Sequence, residues 1–377
     1  MNEHIPLSAP DVTEEEIAAV TAVLRTPHLS FGPELAAFEA EIAAYHGLEH
    51  AVAVSSGTAA LHLALRTSGV GEGDEVIVPS FAFVAVANSI LQVRATPVFA
   101  EIDPVTLNLD PVSVEWAVTQ RTRAIVVVHT FGVPAEMEAL TALARRNNLL
   151  LIEDASEALG ARLDDRAAGS LGDVAVLGFY PNKQMTTGEG GMVLTRNAAD
   201  AAQMRRLRNQ GRDTGAEWLD WTEQAYNYRL SELACALGRV QLRRIGEMLA
   251  LRRQAAERYD ALLAEAGEVE RPPLSLPRRE ISWFVYVVRL PENVDLDGVR
   301  ADLAGKGIST GRYFAPIHLQ PFWRIHSGRS INYLPVTESI APRVLALPFF
   351  NRITPSQQQE IVEALRAAIA ARTRGRI

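Results

Sequence analysis

The stretch Leu151-Ile152-Glu153-Asp154-Ala155-Ser156-Glu157 decides the fold, because a short apolar run here ends in carboxylates. The apolar residues predict a buried strand, and Asp154 falls at its carboxyl end. Similar runs recur from about residue 50 to residue 195, separated by segments whose apolar residues have helical spacing. Such alternation is typical of an α/β fold with a mostly parallel sheet covered on both faces.

Seven strands are predicted in this part of the chain, at 51–54, 75–78, 97–101, 124–129, 149–154, 174–179 and 191–195. Too little chain separates the fifth strand from the sixth for a full helix and two loops, so the last strands should include an antiparallel one. Helices are predicted at 59–67, 135–147, 201–208 and 231–253, the last of them running towards residue 259.

A smaller domain is predicted after the sheet. Beyond a proline-rich break at 271–273, the pattern indicates a strand at 283–290 and helices at 296–306 and 355–370, which together suggest an α+β unit. We therefore predict a large domain over 1–245 and a small C-terminal domain over 246–377. An N-terminal arm of about residues 1–15 is free to pack elsewhere.

The composition of the chain excludes some classes of binding partner. The chain has 377 residues, 48% of them hydrophobic, and 45 acidic residues against 37 basic ones. This acidic balance argues against nucleic acid or an anionic membrane as the main partner, and no apolar run approaches the length that spans a bilayer. The single cysteine, Cys235, has no intrachain disulfide partner, and the first residues do not show an export signal. We expect a cytosolic protein without a bound metal.

A second informative stretch is Gly178-Phe179-Tyr180-Pro181-Asn182-Lys183-Gln184-Met185-Thr186-Thr187-Gly188-Glu189-Gly190-Gly191. It places a lysine just past a predicted buried strand and then turns through glycines into the next strand. A lysine alone is usually solvated, and Asp154 alone could be a helix cap or a loop carboxylate. Their convergence is informative, because ligands of α/β folds bind at the carboxyl edge of the sheet.

A lysine and a carboxylate placed in this way suit pyridoxal phosphate. The amine of Lys183 can form a Schiff base with the cofactor's aldehyde. The carboxylate of Asp154 would keep the pyridine nitrogen protonated, because a nearby opposite charge favours the charged form. A protonated ring is the electron sink that this cofactor chemistry requires.

Donors for a phosphate are found in Ser55-Ser56-Gly57-Thr58, between the first strand and the helix that begins near residue 59. Backbone N–H groups at a helix N-terminus, two hydroxyls and a glycine that permits close approach make an anion site. The same four residues could also form a plain helix cap.

Further segments occur in a recognisable order along nearly the whole chain. They are Ser30-Phe31-Gly32-Pro33, Phe38-Glu39, Ala59-Ala60-Leu61-His62-Leu63, Pro79-Ser80-Phe81-Ala82-Phe83-Val84-Ala85, Val128-His129, Tyr226-Asn227-Tyr228-Arg229-Leu230-Ser231-Glu232, Gln241-Leu242 and Tyr313-Phe314-Ala315-Pro316-Ile317-His318-Leu319-Gln320-Pro321. With the Asp154 and Lys183 motifs, they resemble the nucleotide-sugar aminotransferases. That family has the aspartate-aminotransferase-like fold, fold type I of the pyridoxal phosphate enzymes.

The resemblance implies a role for individual residues. It implies Lys183 as the Schiff-base lysine, Asp154 as the partner of the pyridine nitrogen, and Glu157 beside the ring oxygen. The remaining cofactor-binding residues that it implies are Ser56, Gly57 and Thr58 at the phosphate, Phe83 stacked on the ring, and Asn227 reaching the phosphate of the other subunit of a homodimer. Implied substrate-pocket residues are Tyr180, Arg229, Arg312, Tyr313 and His318.

Three positions depart from the family pattern. Glu157 stands where glutamine or histidine is more frequent, so it must be protonated or accept a hydrogen bond from the cofactor. Gly178 stands where many members have a serine that binds the phosphate, so that donor is missing or is supplied by Ser56 or a backbone amide. Ala82 stands where threonine is frequent. Asp154 and Lys183 are unaffected.

The resemblance implies an aminotransferase that moves an amino group from an amino acid, with L-glutamate expected, to a keto sugar carried on a nucleotide. The residue Glu157 favours a 4-keto over a 3-keto sugar. Alternatives are a sugar dehydratase or a cyclitol aminotransferase of the same fold, and a non-catalytic, cofactor-binding regulatory homologue. A lysine at position 183 argues against the dehydratase, since related dehydratases have histidine there.

Overall fold

The computed structural model describes residues 4–213, 220–264, 269–326 and 333–373. Its strands are β1 (His50–Val54), β2 (Glu75–Pro79), β3 (Thr96–Ala100), β4 (Thr122–Val128), β5 (Leu150–Asp154), β6 (Arg162–Leu163), β7 (Arg166–Ala167), β8 (Val174–Gly178), β9 (Gly191–Thr195), β10 (Arg279–Glu280), β11 (Tyr286–Arg289) and β12 (Val344–Leu347). The seven predicted sheet strands are all found, within two residues of the expected bounds.

These seven strands form one sheet in the order β1-β9-β8-β5-β4-β2-β3. Strands β2, β3, β4, β5 and β8 run parallel to one another, whereas β9 is antiparallel to both β8 and β1. The expected antiparallel strand is thus confirmed as β9. The parallel order brings the carboxyl ends of β4, β5 and β8 to one edge, which is where a ligand site of this fold class is expected.

Helices cover the sheet and build the rest of the molecule. They are α1 (Glu14–Leu24), α2 (Pro33–His46), α3 (Gly57–Thr67), α4 (Ala85–Gln92), α5 (Pro111–Ala117), α6 (Met137–Arg146), α7 (Ala198–Arg208), α8 (Glu232–Arg243), α9 (Ile245–Ala264), α10 (Leu296–Gly305), α11 (Pro321–His326), α12 (Pro335–Ile340) and α13 (Pro355–Arg372). In the described ranges, none is long and apolar enough to cross a membrane.

The single helix predicted over 231–253 is wrong in one respect, since the chain forms two helices there. Helix α8 ends at its C-cap, Arg244, whose N–H bonds back to carbonyls of the last turn, and α9 begins at the next residue. Apolar spacing did not reveal this break, although Gly246 lies two residues beyond the cap.

Alternation along the strands explains how the sheet is covered. Val126 and Val176 face a core built with α3, α4 and α7, whereas Ile125 and Val127 face a core built with α5 and α6. Successive strand residues point to opposite faces, so both faces are buried. A rigid sheet edge of this kind can hold side chains in fixed positions.

A second core belongs to the C-terminal part of the chain. Strands β11 and β12 pair antiparallel, and α9, α10 and α13 pack with them in one cluster. Ile5 joins the same cluster, and its N–H donates to the Gly307 carbonyl over 2.9 Å. The residues before α1 therefore contact the C-terminal part, while the domain boundary near residue 245 stays a prediction.

Candidate active site

Asp154 is the last residue of β5 and is 7% exposed. Its Oδ1 accepts a hydrogen bond from the Ser156 N–H over 3.0 Å, and its carbonyl oxygen accepts one from the His129 N–H over 3.1 Å. These contacts fix the carboxylate at the carboxyl edge of the sheet, where the sequence predicts it.

Lys183 lies in the segment that joins β8 to β9. Its N–H donates to the Tyr180 carbonyl over 2.9 Å, which closes a tight turn. The Nζ atom is 3.6 Å from Oε1 of Glu157 and 4.0 Å from the ring centroid of Phe284. The amine is therefore enclosed between a carboxylate and an aromatic face and is not a freely solvated surface group.

Glu157 is 5% exposed, and its Oε2 accepts a hydrogen bond from the Phe131 N–H over 3.0 Å. Burial raises the pKa of Glu157, the charge of Lys183 lowers it, and the charge of Asp154 raises it, with a net upward shift. The side chain thus experiences the charges of both predicted catalytic residues. We call Asp154, Glu157 and Lys183 the carboxyl-edge cluster.

Glu153 stabilises this edge from behind, and the sequence did not single it out. It is completely buried and accepts hydrogen bonds from the N–H groups of Gly169, Leu171 and Gly172 at 2.5 to 2.8 Å. His129 Nε2 lies 2.8 Å away from it. Burial acts to raise the pKa of Glu153, but hydrogen bonds from His129 and the amides outweigh burial and lower it. A buried charge in an apolar strand was the available signal, since such a charge needs partners.

The first turn of α3 offers donors to an anion. Ser56 is the N-cap, and its Oγ accepts from the Ala59 N–H over 3.1 Å. The N–H groups of Gly57 and Thr58 have no protein acceptor among the described residues. A Cβ on Gly57 would lie 3.4 Å from the Cα of Gly178, so the backbone of β8 passes close to this turn. The cap and the anion site predicted for this segment are therefore compatible.

The side chain of Phe83 is 62% exposed. It lines a cavity of about 580 Å³ together with Phe314, Ile317 and Trp323. Asp154, Glu157 and Lys183 do not line this cavity. The ring of Phe83 is available as a flat apolar surface, and the cavity extends from it along residues 314–323, which we call the 314–323 wall.

The implied substrate residues are not gathered at one point. Arg312 Nη1 is 3.7 Å from Asp297 on α10, and both border a separate small cavity. Tyr180 is exposed. Tyr313 stacks on Phe284, with ring centroids 6.2 Å apart, and burial raises the pKa of its hydroxyl. Tyr313 and the Nζ atom of Lys183 thus contact the same ring, that of Phe284.

His318 belongs to the 314–323 wall, but its side chain does not line the cavity. It is 2% exposed, and its Nδ1 is 2.6 Å from Ser80 Oγ, with Nε2 3.3 Å from Glu338. Burial lowers the pKa of this histidine. In this chain its side chain supports residues of the wall.

The segment around Asn227 packs beside the anion site. Tyr226 and Tyr228 stack on each other with centroids 4.9 Å apart, and the Tyr228 carbonyl accepts from the Ser55 N–H over 2.9 Å. Asn227 itself is exposed. Arg229 donates to Asn209 over 3.2 Å. The exposed Asn227 is thus free of the packing that fixes its two tyrosine neighbours.

Arg252 is a second residue that sequence reasoning missed. Its guanidinium is buried and donates to the backbone carbonyls of Lys183, Trp283 and Phe284 at 3.1 to 3.2 Å. Burial lowers the pKa of Arg252 to about 10, so it remains charged at neutral pH. Through these bonds α9 fixes both the backbone of Lys183 and the segment that carries Phe284.

Chemically, the carboxyl-edge cluster combines one amine with two carboxyl groups in a poorly solvated place. An enclosed amine is suited to nucleophilic attack on a carbonyl and to proton transfer. The neighbouring helix N-terminus attracts a phosphate. These features together fit a phosphorylated aldehyde cofactor.

Comparison with known proteins gives a family match. The model of the DegT/DnrJ/EryC1/StrS aminotransferase family matches residues 10–366. GDP-perosamine synthase from Caulobacter vibrioides is 39% identical over 366 residues, which cover 96% of this chain and 97% of that protein.

Solved structures agree over the whole chain. DesV from S. venezuelae, solved in complex with a ketimine intermediate, is 36% identical, with a TM-score of 0.89 and 100% coverage of both chains. The Streptococcus pneumoniae protein Spr1654, solved in its PMP form, has a TM-score of 0.93 at 26% identity and 98% coverage of both chains.

Proposed function

We propose that this chain, which belongs to the DegT/DnrJ/EryC1/StrS aminotransferase family, transfers an amino group from L-glutamate to a 4-keto sugar carried on a nucleotide. The chain is thus an enzyme of the sugar aminotransferase family with fold type I. The observation that carries the proposal is the enclosed amine of Lys183. Its Nζ lies 3.6 Å from Oε1 of Glu157, at the edge of the sheet where β5 ends with Asp154.

The residues present fit pyridoxal phosphate. The free N–H groups of Gly57 and Thr58 suit the phosphate. Gly178 passes close beside them, so side chains at positions 57 and 178 would take up the space next to these N–H groups. Asp154 suits a protonated pyridine nitrogen, and Phe83 offers an apolar face for the ring. Pyridoxal phosphate, when bound, supplies an aldehyde and an electron-accepting ring.

Lys183 carries out two tasks in the proposed reaction. Its Nζ would hold the aldehyde carbon of the cofactor covalently until a donor amine takes its place. The freed Nζ would accept a proton from the α-carbon of the donor and return it to the carbon that carried the aldehyde. It would thus act first as a general base and then as a general acid. The turn closed on Tyr180 and the hydrogen bond from Arg252 hold the Lys183 backbone while the side chain moves.

The two carboxyl groups have different tasks. The carboxyl group of Asp154 would stabilise a positive charge opposite it. Glu157 has a raised pKa because it is buried, so its neutral form is favoured more than in water. A neutral Glu157 can donate a hydrogen bond to an oxygen of the cofactor.

The visible absorbance of the enzyme tests this function. Enzyme loaded with pyridoxal phosphate should show a cofactor band that L-glutamate bleaches and a nucleotide-linked keto sugar restores. Keto sugars on UDP, dTDP and GDP should be screened for glutamate-dependent turnover. A band that never responds to glutamate would instead favour a dehydratase or a regulatory homologue, and turnover of a free cyclitol ketone would favour a cyclitol aminotransferase.

A covalent trap identifies the reacting amine. The sequence contains only two lysines, Lys183 and Lys306, and Lys306 is exposed on the C-terminal part. Borohydride reduction of the loaded enzyme should leave the cofactor mass on the peptide with Lys183. A Lys306→Ala variant should keep the label, which makes it the matched control for Lys183→Ala.

We also propose a homodimer in which Asn227 of each chain reaches the cofactor phosphate of its partner. Mixing Lys183→Ala chains with Asn227→Asp chains, whose added charge repels the phosphate, puts both defects in one site of a mixed dimer and none in the other. Random exchange makes about half the dimers mixed, so roughly one site in four should regain activity. Absence of recovery, with exchange confirmed by mass and Asn227→Asp inactive alone, would refute the shared site.

A further inference from the structure

Ser156 follows Asp154 by two residues and is held by its own backbone. Its N–H donates to Asp154 Oδ1 over 3.0 Å, which closes a short turn at the end of β5. Its hydroxyl has no hydrogen-bond partner among the residues that the structure describes. A fixed backbone with an unused hydroxyl is an ordered donor for a ligand.

The direction of this side chain follows from two neighbouring glycines. A Cβ on Gly57 would lie 3.6 Å from Ser156 Oγ, and a Cβ on Gly178 would lie 3.3 Å from the same atom. Ser156 therefore points into the gap between the N-terminus of α3 and the end of β8. This is the gap that faces the free N–H groups of the α3 first turn.

The same distances show that positions 156 and 178 compete for space. A Cβ at 178 would stand 3.2 Å from Ser156 Cβ, which is tighter than nine in ten real Cβ contacts. A serine at 178 would therefore need Ser156 to shift by a few tenths of an ångström. The gap accommodates one hydroxyl-bearing side chain, and in this chain residue 156 provides it.

Ser56, the other hydroxyl considered for this place, already has a structural task, since its Oγ accepts the Ala59 N–H as the helix cap. We propose that Ser156 donates its hydroxyl to the phosphate of the cofactor, and that Ser156 and Gly178 form a size-matched pair in which the hydroxyl at 156 replaces one at 178. This proposal rests on the proposed function, because it presupposes that the enzyme binds pyridoxal phosphate.

The affinity of the cofactor-free enzyme for pyridoxal phosphate, followed by absorbance, tests the proposal. A Ser156→Ala variant should bind about 10- to 100-fold more weakly, as expected for a lost hydrogen bond to a charged group. Its affinity for pyridoxal, which lacks the phosphate, should be unchanged. A Ser339→Ala variant, which changes an exposed serine on α12, should match the wild type in both titrations.

The exchange part needs a double variant. Gly178→Ser alone should weaken binding through crowding. Ser156→Gly with Gly178→Ser removes the Cβ that would stand 3.2 Å away and should return the affinity to within about threefold of wild type. Unchanged binding by Ser156→Ala, or equal losses for pyridoxal phosphate and pyridoxal, would overturn the hydroxyl's assignment. A double variant no better than the single ones would overturn the exchange. Failure of the wild type to bind pyridoxal phosphate at all would instead refute the proposed function.

Discussion

The carboxyl-edge cluster and the 314–323 wall are built in different ways. Asp154 and Glu157 sit on a strand end and the turn after it, and backbone N–H groups bond their carboxyl oxygens. The wall is a loop and short helices of the C-terminal part, and its cavity is lined mainly by apolar side chains such as Phe314 and Trp323. The cluster holds charged groups at fixed positions, whereas the wall forms an apolar surface around a cavity.

This difference has a functional meaning. A cofactor reaction needs charged groups at set positions, so a rigid sheet edge is the suitable scaffold. Recognition of a sugar on a nucleotide can vary with the side chains of loops without disturbing that edge. Substitutions in the cluster should therefore change rates, and substitutions at the wall should change substrate affinity.

Lys183→Ala should give the largest effect, a loss of turnover of at least about 1,000-fold, because both covalent binding and proton transfer depend on its amine. The cofactor should still bind through its phosphate, which absorbance can show. The exposed Lys306→Ala variant should keep normal turnover. Near-normal turnover by Lys183→Ala would remove this residue from its role and would end the distinction between cluster and wall.

Asp154→Asn should lower turnover on the order of 100-fold, because the amide cannot stabilise a positive charge opposite it. Cofactor affinity should fall less than the rate. An Asp165→Asn variant changes an exposed aspartate between β6 and β7 and should be normal. Wild-type kinetics for Asp154→Asn would show that the carboxylate has no part in the chemistry.

Arg312→Ala tests an implied substrate residue outside the 314–323 wall, because Arg312 borders a separate cavity. Its ion pair with Asp297 involves two exposed groups and contributes little to stability, so the guanidinium is available to an anionic substrate. We expect KM for the nucleotide sugar to rise about fivefold with kcat nearly unchanged. Bleaching of the cofactor band by glutamate should not change. An effect on that glutamate step would place Arg312 in the chemistry instead.

Glu157→Gln should give the smallest effect on turnover, within about threefold. Its signature is in stability: burial raises the folded pKa of Glu157 above the unfolded value, so the wild type loses stability as the pH rises through that raised pKa. Thermal unfolding of cofactor-free protein from pH 4 upward should show the variant gaining on the wild type with rising pH. A difference independent of pH would mean that Glu157 does not titrate in this range.

Strands of strong apolar pattern allowed the positions of Asp154 and Lys183 to be predicted, while their roles stay predictions. Asp154 ends β5 and Lys183 follows the neighbouring strand β8, so the strand order places both at the same edge of the sheet. Arg252 and Glu153 were missed because their partners are backbone groups far away in sequence, which no local pattern marks. The position of the Arg312 side chain was not predictable either, because a long side chain on a loop can form an ion pair with any of several nearby carboxylates.

The departure at Gly178 shows a further limit. The sequence identified a missing hydroxyl and named Ser56 or an amide as its replacement. In the structure the Ser56 hydroxyl caps helix α3, and the side chain of Ser156 faces the gap. Which residue fills a space depends on distances between three backbone segments, and a sequence pattern does not contain them.

The buried guanidinium of Arg252 has a consequence for how three distant segments depend on one another. Its partners in the chain are 31, 32 and 69 residues away, and a charged group leaves water at high cost unless its hydrogen bonds are replaced. Displacing the segment of Lys183 or that of Phe284 would therefore leave a buried charge with fewer hydrogen-bond partners. The guanidinium thus makes the position of the lysine segment and that of the Phe284 segment depend on each other through α9.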